Sequence, residues 1–105
     1  MSTKEEANII LQQLGGNKFI VMTGSKYFVY DRNEDGNTYL RMKLTRNRSK
    51  AQYLRIILNS SDLYDMIFYR FDRKDNHIVV KEHNNVYCDQ LQELFTETTG
   101  LYTHL

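Results

Sequence analysis

Short polar connections join all the segments of this chain that have the pattern of β-strands. Parallel neighbours need a crossover of a dozen or more residues, usually a helix, and none of these connections is long enough to hold one. The sheet is therefore expected to be antiparallel. With 41 % apolar and 26 % charged residues, the 105-residue chain has the composition of a globular protein. We expect a single α+β domain over residues 1–105.

Helical patterns occur at both ends of the chain. Ser2 or Thr3 can cap a helix over residues 3–14, which Gly15 and Gly16 would end. Its apolar stripe has helical spacing and consists of Ala7, Ile10, Leu11 and Leu14. Asn84 or Asn85 can cap a second helix, which Gly100 would end. The predicted buried face of this helix consists of Tyr87, Leu91, Leu94, Phe95 and Thr98.

Six strands are expected between these helices. The β-branched, aromatic and alternating patterns predict them over residues 18–23, 27–30, 38–45, 53–58, 64–71 and 77–82. Leu40, Met42 and Leu44 alternate in the third strand as Leu54, Ile56 and Leu58 do in the fourth, so these two strands should pair antiparallel. The fold class expected is therefore α+β, with two layers: an antiparallel sheet of about six strands and the N- and C-terminal helices packed on one face.

Positive charge is concentrated in the middle of the chain. Residues 38–58 contain six Lys/Arg and no Asp/Glu, whereas the other 84 residues contain eight Lys/Arg and thirteen Asp/Glu. The alternation predicts that the basic and tyrosine side chains of the third and fourth strands point away from the core, with further cations in the loop between them. These candidate binding residues are Tyr39, Arg41, Lys43, Arg46, Arg48, Lys50, Tyr53 and Arg55.

Cations beside exposed tyrosine rings are typical of sheets that bind single-stranded nucleic acid, because the cations neutralise phosphates and the rings stack on bases. The same residues would also suit an acidic protein surface, or would simply solvate the sheet and pair with nearby carboxylates. We therefore predict a non-enzymatic domain that binds a polyanion, with nucleic acid favoured. The alternative is a protein–protein interaction module, such as an inhibitor of a host defence or regulatory protein.

Metal and catalytic signals are weak. Residues 31–36 resemble the opening of a calcium loop, but the twelfth position, which should supply a carboxylate, is Met42. The soft ligands His77, His83, Cys88 and His104 lack the close spacing of a zinc site. Cys88 with His83 as base could form a nucleophile, although a buried structural thiol is the more common role. We expect neither metal, nor cofactor, nor catalysis.

The sequence also suggests a location and an assembly state. The longest apolar run is far shorter than the roughly 20 residues that span a bilayer, and residues 1–6 lack the apolar core of a secretory signal. The single cysteine, Cys88, indicates a reducing compartment. We therefore expect a cytoplasmic protein without membrane contact. Unpaired edges of the sheet make a homodimer possible.

Three segments resemble a group of small uncharacterised proteins carried by bacteriophages and other mobile genetic elements. They are residues 14–24 (LGGNKFIVMTG), 58–65 (LNSSDLYD) and 100–105 (GLYTHL), and the likeness spans most of the chain. Where related chains use proline after the asparagine of the second segment, this chain has Ser60. The resemblance implies an intracellular accessory protein of a mobile genome, and it implies no particular activity or catalytic residue.

Overall fold

The chain forms three α-helices and a five-stranded antiparallel sheet in a computed structural model that describes residues 1–103. The helices are α1 (Thr3–Leu14), α2 (Asn17–Thr23) and α3 (Leu91–Thr99), the last preceded by a 3-10 turn over Cys88–Gln90. The strands are β1 (Lys26–Arg32), β2 (Thr38–Lys43), β3 (Tyr53–Leu58), β4 (Tyr64–Phe71) and β5 (His77–Val86). His104, considered above as a metal ligand, and Leu105 lie outside the described residues.

The sheet is a meander in which each strand pairs with the next one along the chain, in the order β1-β2-β3-β4-β5. The α+β class and the antiparallel arrangement predicted from the short connections are thus confirmed. The antiparallel pairing of the two alternating segments, now β2 and β3, is confirmed as well. β1 and β5 are the two edges of the sheet.

The first helix has the predicted limits because its two ends are fixed locally. The Ser2 hydroxyl accepts a hydrogen bond from the Glu5 backbone N–H at 3.2 Å, and the Glu5 carboxylate accepts one from the Ser2 backbone at 3.4 Å. This reciprocal capping box satisfies backbone N–H groups that have no partner within the helix. Gly15 ends the helix with a φ of +122°, a backbone angle that residues with a Cβ rarely adopt.

The prediction of six strands is wrong, because residues 17–23 form α2 instead of a strand. Phe19 and Thr23, four residues apart, are both buried, and the Thr23 hydroxyl donates to the Phe19 carbonyl at 2.7 Å. Val21, on the other side of this short helix, is 80 % exposed. The β-branched residues of this segment favour a strand, but burial of Phe19 in the core decides its conformation.

The C-terminal helix also begins later than predicted. Asn84 and Asn85 belong to β5, and Tyr87, predicted on the buried face, is 60 % exposed. The buried residues of α3 are Leu91, Phe95 and Thr99. Its predicted end is confirmed, since Gly100 caps it with a left-handed φ of +78°. Within residues 1–103, no helix has both the length and the apolar character needed to cross a bilayer.

One hydrophobic core contains residues from all three helices and from the sheet. Phe19 of α2 packs edge-on against Phe95 of α3, with ring centroids 4.9 Å apart, and Phe95 lies 6.3 Å from Phe68 of β4. The strand residues in this core are alternate ones of β2, β3 and β4, together with Val86 of β5: Leu40, Met42, Leu54, Ile56, Tyr64, Met66, Phe68 and Val86. The intervening side chains of β2, β3 and β4 therefore project to the opposite face.

Candidate functional site

The face of the sheet opposite the core carries the cations predicted from the sequence. Arg41 and Lys43 of β2 alternate with the buried Leu40 and Met42, and both are half-buried. In the antiparallel register Arg41 lies directly opposite Arg55 of β3, and Lys43 lies opposite Tyr53. Directly paired residues project from the same face. The tyrosines and cations of β2 and β3 therefore form one continuous group, which we call the cationic face: Tyr39, Arg41, Lys43, Tyr53 and Arg55.

Two pairs of like charges stand across neighbouring strands on this face. Arg41 is the Cα partner of Arg55, and Lys43 is the partner of Lys26 in β1. Like charges directly opposite each other destabilise a sheet by up to roughly 0.5 kcal/mol per pair when they are partly exposed. Two such pairs side by side concentrate four positive charges on one surface, and this arrangement favours the binding of an anion.

These four cations form no ion pair with residues 1–103. The ion pair between described residues joins Arg32 to Glu6 at 3.4 Å, beside α1. Carboxylates lie nearby without forming such a pair: Asp31 is the Cα partner of Tyr39, and Glu34 and Asp35 line a depression with Arg55. The charge of the four cations is available to a ligand.

Arg55 is held in position by aromatic rings. Its guanidinium carbon lies 4.9 Å from the ring centroid of Tyr39 and 5.8 Å from that of Tyr69. Contacts of this kind stabilise a cation by about 0.5–1 kcal/mol at exposed sites and restrict its motion. The Arg55 Nε is buried and has no hydrogen-bond partner within residues 1–103. A planar guanidinium fixed in this way is suited to binding an oxyanion through two parallel hydrogen bonds.

The loop between β2 and β3 brings three cations to one end of the sheet. Arg46 and Lys50 are exposed, and with Lys43 and Tyr53 they line an open depression at this end of the sheet. Arg48 lines the same depression, and its guanidinium also donates to the Glu97 carbonyl in the last turn of α3. A cation there satisfies a free carbonyl and complements the helix dipole. Arg48 thus caps the end of α3 and also lines the depression beside the cationic face.

Other residues of this face were not predicted as site residues. Lys26 lies between two of the strands that the sequence predicts, residues 18–23 and 27–30. In the structure it is the first residue of β1 and lies opposite Lys43. Three aromatic residues of β4 and β5 also project from this face: Tyr69, Phe71 and His77. Tyr69 is the Cα partner of Tyr53, and Phe71 is the partner of His77. The sequence signal for them was weak, because residues 64–71 are apolar on both faces and give no alternation.

The weaker candidates take local structural roles. The Asn33 side-chain oxygen accepts hydrogen bonds from the backbone N–H groups of Asp35 (3.0 Å) and Asn37 (2.9 Å), which orders the β1–β2 turn. His83 bonds through Nε2 to the Thr98 hydroxyl at 3.0 Å, and burial, assisted by the charge of Lys81, lowers the pKa of His83. Cys88 is exposed. Within residues 1–103, no three His, Cys, Asp or Glu side chains are grouped to hold a metal ion.

Comparison of the chain with protein-family models, with curated proteins and with solved structures finds no match. The cationic face is therefore the feature of the molecule that points to a function.

That geometry predicts that removing two of its charges stabilises the fold. Replacing Arg41 and Lys43 together by glutamine keeps their polar stems and abolishes both like-charge pairs. We expect the free energy of unfolding to rise by about 1 kcal/mol in low salt. Urea unfolding at 20 mM and 300 mM NaCl measures this gain, which should shrink at the higher ionic strength because salt screens the repulsion.

A matched control removes two exposed lysines from the helices, Lys4 on α1 and Lys18 on α2. Lys4→Gln with Lys18→Gln should leave the stability nearly unchanged at both salt concentrations. A double variant of the face that is no more stable than this control would show that the four cations do not repel one another.

Proposed function

We propose that this chain is a non-enzymatic domain that binds nucleic acid through the phosphates that contact its cationic face. In this proposal the domain has two layers, with the helices on one face of the sheet and the ligand on the other. The observation that carries it is the pairing of Arg41 with Arg55 and of Lys43 with Lys26, none of which forms an ion pair with a carboxylate among residues 1–103.

The physical reason is the cost of placing like charges together. A sheet that only needed a solvated surface would be more stable with opposite charges at these cross-strand positions. A ligand with closely spaced negative charges converts the repulsion into attraction on binding. The phosphates of a nucleic-acid backbone form such a series, and arginine and lysine are their usual protein partners.

The aromatic rings among the cations favour nucleic acid over an acidic protein. Tyr53 lies directly opposite Lys43, and Tyr39 contacts the Arg55 guanidinium. Rings beside cations suit a ligand that has both phosphates and flat bases. An acidic protein surface remains the alternative ligand for the same cations, as would occur in an inhibitor of a host protein. We also propose a cytoplasmic location and an origin in a phage or other mobile genome, and these rest on the sequence alone.

Salt titration of oligonucleotide binding tests the proposed function. Counterion release makes the logarithm of the affinity for single strands fall with the logarithm of salt concentration, by about 0.7 for each phosphate contacted. If Lys26, Arg41, Lys43 and Arg55 each contact one phosphate, the slope should be about −3. Fluorescence anisotropy with a labelled 12-nucleotide strand between 50 and 300 mM NaCl measures it.

Absence of binding at 50 mM NaCl, or binding that does not weaken with salt, would refute the proposal. Recovery of a protein partner from a nuclease-treated lysate, together with failure to bind the oligonucleotide, would favour the interaction module instead.

A further inference from the structure

A group of four rings adjoins the cations on the same face of the sheet. The rings of Tyr53 and Tyr69 are stacked, with centroids 5.4 Å apart, and His77 lies 4.6 Å beyond Tyr69. Phe71 is nearly perpendicular to all three, at 6.0 Å from Tyr53, 6.0 Å from Tyr69 and 5.7 Å from His77. These residues come from three neighbouring strands, β3, β4 and β5, and form one continuous aromatic surface.

The rings differ in how accessible they are. Tyr69, in the middle of the group, is only 3 % exposed and acts as its support. The ring of Tyr39, which the sequence nominates as a stacking platform, has the guanidinium of Arg55 against it. Phe71 is 41 % exposed, and His77 beside it is exposed as well. The accessible aromatic surface is therefore at the end of β4 and the beginning of β5.

We propose that this surface stacks an unpaired base, so that the ligand of the cationic face is a single strand and not a duplex. This proposal rests on the proposed nucleic-acid function and specifies its ligand. The strand would lie with a base against Phe71 and His77 and with the adjoining phosphates on Lys43, Arg41 and Arg55. Tyr53 connects the two parts, since it faces Lys43 across the strands and contacts the ring of Phe71.

The chemistry of the two ligand classes supports this choice. In a duplex the base faces are covered by their neighbours, so only phosphates, sugars and base edges reach a protein surface. Stacking on exposed aromatic rings would then add nothing to the affinity for a duplex. In a single strand every base has a free face, and stacking on an aromatic side chain adds affinity irrespective of sequence.

The test compares three 12-nucleotide probes: a single strand of mixed sequence, its duplex, and an abasic sugar–phosphate strand of the same length. We expect the wild-type chain to bind the single strand at least tenfold more tightly than either of the others. Phe71→Leu, which keeps an apolar side chain but removes the ring, should weaken single-strand binding about tenfold. It should leave the salt slope and the binding of the abasic strand unchanged.

Tyr102→Leu is the matched control, because it removes an exposed ring from the surface beside α3. It should not change the affinity for any probe. His77→Gln provides a second test at an exposed position and should weaken single-strand binding severalfold. Thermal unfolding of each variant verifies that it is folded.

Two failures are distinguishable. If the wild-type chain binds all three probes equally and with a steep salt slope, phosphate binding stands and the stacking proposal is overturned. The stacking proposal also fails if Phe71→Leu and Tyr102→Leu behave alike. If none of the probes binds at 50 mM NaCl, the nucleic-acid function itself is refuted, and the stacking proposal is refuted with it.

Discussion

Replacing Phe95 by alanine is expected to lower the free energy of unfolding by about 4 kcal/mol. Phe95 is 0 % exposed and contacts Phe19 of α2 and Phe68 of β4, so its removal opens a cavity where three elements meet. Domains of this size have a total stability of about 5–15 kcal/mol, and the variant would therefore be close to unfolding. Urea denaturation followed by circular dichroism measures the loss.

Tyr87→Ala is the control for this experiment. The sequence pattern puts Tyr87 and Phe95 on the same helix face, but in the structure Tyr87 is 60 % exposed, so its removal should cost less than about 0.5 kcal/mol. Phe95→Leu, expected to lose about 1.5 kcal/mol, gives a measurable value if the alanine variant does not fold. Equal losses for Tyr87→Ala and Phe95→Ala would contradict the placement of α3.

The elements that the sequence predicts correctly are those with local determinants. α1 has a capping box at one end and a glycine at the other, and β4 was predicted with its observed limits, residues 64–71. The segment that forms α2 has no such signal. Its β-branched residues favour a strand, and the contact that makes it helical, Phe19 against Phe95, joins distant parts of the chain. A contact of that kind is not visible in local periodicity.

The residues of the candidate site also differ in whether local sequence alternation is enough to predict them. Alternation within residues 38–58 was enough to place Tyr39, Arg41 and Lys43 on one face, and Arg55 beside them. Alternation could not predict Lys26 as a site residue. The position of Lys26 opposite Lys43 depends on how β1 pairs with β2 past a bulge between Lys26 and Val29. Nor could alternation predict that Arg48 also bonds to the end of α3, because that contact depends on tertiary packing.

The cross-strand register shows which cations lie opposite each other, and this cannot be seen from the composition. Six cations in one segment are compatible with a solvated surface, but Arg41 opposite Arg55 and Lys43 opposite Lys26 are arrangements that weaken the fold. Binding sites often reduce stability in this way, because the groups that bind a ligand are strained or unpaired without it. The same two residues, Arg41 and Lys43, should therefore affect stability and binding in opposite directions.

The Arg41→Gln, Lys43→Gln double variant is accordingly expected to bind a 12-nucleotide single strand about 50-fold more weakly at 50 mM NaCl. Loss of two phosphate contacts should halve the salt slope, from about −3 to about −1.5, so that the two affinities converge as the salt approaches about 1 M. Fluorescence anisotropy at four or more salt concentrations measures both quantities. The Lys4→Gln, Lys18→Gln variant, with the same net charge, should retain the wild-type slope.

This experiment separates binding from folding, because the double variant is expected to be more stable than the wild-type chain. A loss of affinity in a stabilised protein cannot result from unfolding. Arg41→Lys adds a further comparison: it keeps the charge, and thus the slope, but loses the two parallel hydrogen bonds of the guanidinium, so its affinity should fall severalfold. A double variant that loses affinity without a change of slope would mean that Arg41 and Lys43 do not contact phosphates.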